Sequence, residues 1–303
     1  MPPLTPRSAR RKLGKEPLCR LVTFEATDGV VLRGLLYEPE RRTRRAAVWL
    51  HGTGGASIFD TSRTNGLARE FVARGIAFFP FNNRGAHVLK RLRKGEKRID
   101  GGSAYEVLRD CVPDIDGAAR ELRARGYREL YLIGHSTGAN KIAVYDHYRK
   151  NRFKKYVFLA GGDDTGMLYD HLGRRRFASL LRRARARRGS HEMSPMPMLS
   201  WRALYDVINP NGDYNVFPFL ELMRGVRLSR RPRFRYIRAI RKPSLAIYGE
   251  NDEFCYGDVP RCAAILAENA GPNFEVVVMA DADHGFGGRE AELGMMIAEW
   301  LSA

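Results

Sequence analysis

The pentapeptide Gly134-His135-Ser136-Thr137-Gly138 sets a serine between two glycines. It follows a short apolar run, 130–133, and precedes a helix-like stretch, 140–148. A strand that turns sharply into a helix needs both glycines, because bulky neighbours collide around a strained residue. The serine would then stand at a helix N-terminus, where the dipole and free N–H groups favour negative charge. On the pentapeptide alone two readings stay open, a structural turn and a nucleophile held in an elbow. A nucleophilic serine needs a base to take its proton, and the base needs a carboxylate to orient it. The tetrahedral intermediate that follows needs two preorganised donors for its oxyanion.

The surrounding elements are of the kind that could position such groups. Residues 21–39 read as two strands about an Asp28-Gly29 turn. Short apolar runs at 46–50, 76–81, 130–133, 156–160, 244–248 and 274–279 read as strands. Helical patterns are predicted over 64–74, 104–125, 140–148 and 290–301, and the charged stretch 88–102 reads as a loop. Strands alternating with helices predict an α/β fold, a mostly parallel central sheet with helices on both faces. In such sheets, ligands sit at the carboxyl ends of the strands.

Residues 163–241 break the alternation. They hold an Arg-rich piece (174–189), a Met/Pro segment (193–201) and an aromatic-rich stretch (213–223). A structureless loop of that length does not fit a compact domain. A helical lid inserted between two sheet strands is the expectation. Trp201, Tyr205, Phe217 and Phe219 would either line a substrate cleft or pack the lid onto the body. The predicted organisation is therefore a basic tail (1–18), a core of 19–162 and 242–303, and the insertion.

Of 303 residues, 44% are hydrophobic, enough for a sizeable core, and no apolar run reaches membrane-spanning length. The tail has no apolar segment after its basic residues, so it does not read as a secretory signal, and the cytoplasm is the expected location. Net charge is +18, carried by 42 Arg and only 10 Lys. That ratio fits a coding bias as well as an anionic partner, and no nucleic-acid motif accompanies it. The four cysteines, Cys19, Cys111, Cys255 and Cys262, form no metal-ligand pattern. A Cys255–Cys262 bridge is conceivable, but reduced thiols are expected.

Four segments in order, HGTGG (51–55), GHSTG (134–138), YGENDEF (248–254) and DADHGF (281–286), resemble the α/β-hydrolase superfamily, in its serine esterase, lipase and thioesterase group. The resemblance spans roughly 20–303, leaving the tail outside it and the insertion unmatched. It implies oxyanion loop, nucleophile, acid and histidine in that order. It makes Ser136 the nucleophile and places the base at His284, after the last strand. His51 and His135 then support loop shape. Asp252, four residues after Tyr248 at a strand end, is the implied orienting acid, with Asp164 next. Asp163, Glu250, Asp281 and Asp283 are the other neighbours, read as loop caps or solvated charges. The oxyanion donors would be the N–H of Thr137 and that of Thr53, with Gly54 as the alternative. The P-loop lysine is missing, which argues against a nucleotide site. The loop reads His-Gly-Thr-Gly-Gly rather than His-Gly-Gly-Gly, against the hormone-sensitive-lipase-like branch.

The resemblance thus implies a serine hydrolase acting on a carboxylic ester, needing no cofactor or metal. An Arg-rich, aromatic insertion would suit an anionic or aromatic ester. Peptide, amide or C–C bond hydrolysis by the same groups is the enzymatic alternative. A non-catalytic module binding a polyanion is the alternative from another class.

Overall fold

A computed structural model describes residues 17–54, 56–59 and 63–303. Most of the basic tail, and Gly55 of the glycine-rich loop, lie outside these residues.

The chain opens with a hairpin, β1 (Cys19–Glu25) and β2 (Val31–Tyr37), turned at Gly29, whose φ is +87°. Then come β3 (Arg45–Leu50), α1 (Arg63–Ala73) and β4 (Ala77–Asn82). A second hairpin, β5 (Lys90–Lys94) and β6 (Lys97–Gly101), occupies the stretch predicted as a loop. Its Leu92 and Ile99 pair across the strands, and Gly95 takes the positive φ of the two-residue turn. Only these two apolar residues mark it, too sparse a pattern to read as alternation. The helix predicted over 104–125 begins later, as α2 (Cys111–Ala124). Pro113 lacks an N–H and is tolerated in a first turn, so a helix running through it from 104 is disfavoured.

Next are β7 (Glu129–His135), α3 (Thr137–Tyr148) and β8 (Phe153–Leu159). The insertion holds α4 (Asp164–Ala186), α5 (Trp201–Ile208), α6 (Phe219–Met223) and α7 (Arg235–Ala239). The chain closes with β9 (Ser244–Gly249), α8 (Val259–Asn269), β10 (Phe274–Met279) and α9 (Glu290–Ser302).

Among the described residues the main sheet has eight strands in the order β1-β2-β4-β3-β7-β8-β9-β10. The first two pairings are antiparallel, and from β4 to β10 every pairing is parallel. Parallel strands need crossovers, and the crossover helices cover both faces. On one face α2, α3 and α8 bury Ile115, Ile142 and Ile265 against β-strand residues such as Val48, Leu132 and Phe158. On the other α1 and α9 bury Phe71 and Ile297 against Trp49, Ile133 and Ile247.

The insertion between β8 and β9 is not one body. Phe177 and Leu180 of α4 and Trp201 and Leu204 of α5 form a small core of their own. Phe217 and Phe219 instead belong to the core under the sheet, edge-on to Phe158 and Tyr248. All four cysteines are free thiols; Cys262 donates to the carbonyl of Cys255 rather than bridging to its sulfur. No helix among the described residues is long and apolar enough to cross a membrane.

Candidate active site

The β7–α3 junction shows why the glycines stand where they do. Ser136 sits between strand and helix at φ 56°, ψ −129°, outside the regions that L residues prefer. Its N–H is held by the Leu159 carbonyl of β8 at 2.8 Å, and its own carbonyl accepts from Ala139 N–H at 2.8 Å. A Cβ on Gly134 would lie 2.2 Å from the Gly138 carbonyl oxygen, and one on Gly138 would lie 2.3 Å from that of Leu50. Only glycine lets the strand, the turn and the neighbouring β3 approach so closely.

His284 lies in the loop between β10 and α9. Its Nδ1 is 3.0 and 3.1 Å from the two carboxylate oxygens of Asp252, which follows β9 and whose side chain is 1% exposed. An ionised carboxylate only accepts, so Nδ1 carries the proton and Nε2 is left as the basic nitrogen. Two further contacts hold the loop. The backbone N–H of His284 donates to Glu253 Oε2 at 3.2 Å. The ring of His135 lies under its carbonyl, 2.7 Å from Nε2. Arg63 donates to the other nitrogen of that ring at 3.2 Å, so Nδ1 of His135 accepts and Nε2–H donates. Burial, with the Arg63 charge second, pushes the His135 pKa down to about 3, so the ring is neutral. His135 thus ties the β7–α3 turn to the loop of His284.

His51 shapes the glycine-rich loop in a similar way. Its Nε2 accepts from Asn83 N–H at 3.2 Å and its Nδ1 donates to the Gly52 carbonyl at 2.8 Å. Burial also drives its pKa down to about 3. The loop then passes against the serine. A Cβ on Gly52 would lie 2.9 Å from Ser136 Cβ and 3.3 Å from its hydroxyl. Thr137 is the first residue of α3, so its amide has no carbonyl four residues back within the helix. Its side-chain oxygen is buried with no partner among the described residues.

A cavity of about 540 Å³ collects these groups. Ser136, His284, Thr53 and Gly54 line it, and Arg63 and Asp164 bring the formal charges. Burial raises the Asp164 carboxyl to about 6, with the nearby His284 charge opposing. Asp164 makes no bond to His284; its Oδ2 is 3.4 Å from Asn140 Nδ2. The remaining carboxylates act locally. Asp163 caps α4 through Gly166 N–H, Glu250 accepts from Asp281 N–H, and Asp283 from Gly287 N–H. From the insertion, Asp164 and Met167 reach the cavity wall. Trp201, Tyr205, Phe217 and Phe219 do not: the first two pack in the insertion's own cluster, the others in the main core. The spacing of aromatic residues carried no information about which core each would join. Glu253 and Phe254 lie in the YGENDEF segment, but that segment points only to Asp252 and Glu250, and nothing in the local sequence around Arg63 and Met167 marks them.

Residues 47–293 match the alpha/beta hydrolase family, and the chain belongs to it. No curated protein matches the sequence. Among solved structures, it resembles the esterase domain of a Rhodothermus marinus protein at 17% identity and a TM-score of 0.58, over 93% of this chain and 97% of that one. Est1E from Butyrivibrio proteoclasticus, solved with ferulic acid bound, is 13% identical with a TM-score of 0.57, over 93% and 98% of the two chains. XC6422 from Xanthomonas campestris, an α/β serine hydrolase described as without lid, is 16% identical at 0.56, over 94% and 96%. At such identities the likeness is one of fold.

Proposed function

We propose that this chain is a serine hydrolase that cleaves carboxylic esters. The observation that carries the proposal is the strained Ser136 opening on one cavity with a His284 whose Nδ1 is held by a buried Asp252. Ser136 Oγ attacks the acyl carbon while His284 Nε2 takes its proton. The oxyanion accepts from the N–H groups of Thr137 and of Thr53, with Gly54 as the alternative. The tetrahedral intermediate collapses, the proton passes from His284 to the leaving alkoxide, and an alcohol departs. Water, deprotonated by His284, then attacks the acyl-enzyme, and collapse returns the proton to Ser136 with release of the acid. Asp252 keeps the ring in the tautomer that leaves Nε2 free and stabilises the imidazolium. Every step uses groups of the chain and water.

Similarity in fold to structures called esterases supports this reading. The cavity, about 540 Å³, is in the range that encloses small ligands. We read the insertion as a cap that supplies Asp164 and Met167 to the wall, and an anionic or aromatic ester as a substrate to test. The deciding experiment is a panel of acyl esters, amides and C–C hydrolase substrates on wild type and Ser136→Ala, with fluorophosphonate labelling alongside. Ester turnover and labelling are expected in wild type and lost in Ser136→Ala. Turnover that survives the substitution would overturn the mechanism, and inert esters beside a reactive amide would overturn the substrate class.

A further inference from the structure

A second cleft, of about 380 Å³, opens between the β5–β6 hairpin and the sheet. Its floor is a row of cross-strand neighbours: Thr23 of β1 pairs with Arg33 of β2, and Arg33 with Asn82 of β4. Directly paired residues share a face of the sheet, so the three side chains stand side by side. The hairpin forms the wall and brings Lys90, Arg91, Arg93 and Arg98. It is anchored by a bridge between Lys94 and Val30 and by the buried Leu92.

Five cations therefore line this cleft, and one carboxylate answers them: Asp100 pairs with Arg91 at 3.1 Å. Among the described residues no carboxylate lies within ion-pair distance of Arg33, Lys90, Arg93 or Arg98. Arginines elsewhere are often engaged. Arg84 is shared by Asp28 and Asp114, Arg109 pairs with Asp213, and Arg183 and Arg187 lie over the Trp201 ring. Lys90 is half-buried, and burial and the Arg33 charge both lower its pKa. Coding bias explains how many arginines a chain has. It does not explain why like charges converge on a concave site at a cost in repulsion.

We propose that this cleft binds the phosphate group of a small phosphorylated ligand. A monocarboxylate would answer one of the surplus charges. A phosphate carries nearly two and offers oxygens in several directions, which suits guanidinium groups arriving from both floor and wall. The site stands apart from the ester-hydrolase reading, although the two cavities share a wall. The Asn82 side chain lines the cleft, accepts from Ile58 N–H at 2.9 Å and donates to Ser57 Oγ at 3.1 Å. Ser57 and Ile58 line the cavity of Ser136. The phosphate could thus belong to the far end of the substrate or to a separate molecule.

The test is calorimetric titration of the full chain with pyrophosphate. Saturable binding of one equivalent is expected, weakening as salt rises. Arg33→Gln/Arg98→Gln should weaken it about a hundredfold, since each charge-assisted contact is worth roughly tenfold. Arg174→Gln/Arg175→Gln removes the same net charge from the insertion and should change binding less than about twofold. Circular dichroism and the thermal unfolding midpoint report that each variant is folded. No saturable binding, or equal losses in the two pairs, would overturn the proposal. Much tighter, Arg33- and Arg98-dependent binding of a DNA duplex would replace it with a nucleic-acid surface. Kinetics then separate the sources. A rise in KM in Arg33→Gln/Arg98→Gln confined to phosphorylated esters assigns the site to the substrate. An effect of pyrophosphate on a neutral ester, or no kinetic effect beside intact binding, assigns it to a separate ligand.

Discussion

At the scale of single residues, the site depends on which proton sits on which nitrogen. Asp252→Asn would keep the shape of its side chain but favour the wrong tautomer of His284. A fall in kcat of about 10⁴-fold with little change in melting temperature is the expected outcome. A fall below tenfold would mean that another carboxylate, Asp164 foremost, orients the base. His135 offers a prediction on stability. Its ring has a pKa of about 3 in the folded chain against 6.5 when free. Between those values the unfolded chain binds a proton that the folded chain refuses. The neutral ring therefore favours folding above pH 6.5, and this contribution is lost as pH falls, by about 1.4 kcal/mol per unit. In His135→Gln the amide can still donate to the His284 carbonyl but does not titrate. From pH 7 to 5, urea unfolding should show wild type losing about 2 kcal/mol more than this variant. Equal losses would show that the ring protonates within the folded protein.

At the scale of elements, the close approach of β3, β7 and α3 is what exposes the serine. Gly138→Ala places a methyl 2.3 Å from the Leu50 carbonyl oxygen, so β3 and α3 must part. A loss of at least about 1–3 kcal/mol in chemical unfolding is expected, together with reduced fluorophosphonate labelling, because the turn at Ser136 and the glycine-rich loop packed on it move together. The insertion separates two kinds of apolar residue. Trp201 is 3% exposed and packs between α4 and α5, away from the cavity, so Trp201→Ala should cost about 3–5 kcal/mol of stability in that unit. KM for a short ester should stay nearly constant. Met167→Ala should do the reverse, changing KM with a smaller loss of stability. A raised KM in Trp201→Ala with unchanged stability would return that residue to the substrate cleft.

At the scale of the whole molecule, one buried ion pair joins distant parts of the chain. Lys141 Nζ of α3 lies 2.6 Å from Glu106 Oε1, with side chains 0% and 2% exposed. Glu106 also presses on the loop after β4, where a Cβ on Gly85 would lie 2.1 Å from its carboxyl carbon. The pair thus ties α3, the segment before α2 and the loop beside His51 into one body. Removing one partner leaves an unpaired charge in the interior, so Glu106→Gln should destabilise by about 3–5 kcal/mol. Replacing both, as Glu106→Leu/Lys141→Met, should recover much of that loss. Thermal and urea unfolding of the two variants would check this, and a double variant no better than the single would show that packing rather than charge dominates.

The close backbone approaches around Ser136 were legible in the sequence. Gly134 and Gly138 mark places where backbone meets backbone, and Gly52 one where backbone meets the Ser136 side chain; each approach excludes a larger residue. The strands leading to His51, Ser136 and Asp252 announced themselves as short apolar runs, because a parallel sheet buries both faces. The β5–β6 hairpin did not, since just Leu92 and Ile99 face apolar neighbours. Nor did the fate of the insertion's aromatics, because a phenylalanine such as Phe217 obeys the same local pattern whether it lines a cleft or fills a core. The family resemblance already put Asp252 ahead of Asp164 as the partner of His284, whereas which arginine braces His135 was decided by the tertiary structure alone. Hydrogen bonds act over about 3 Å, and the sequence says which groups are able to form them but not which distant segments the packed sheet brings within that distance.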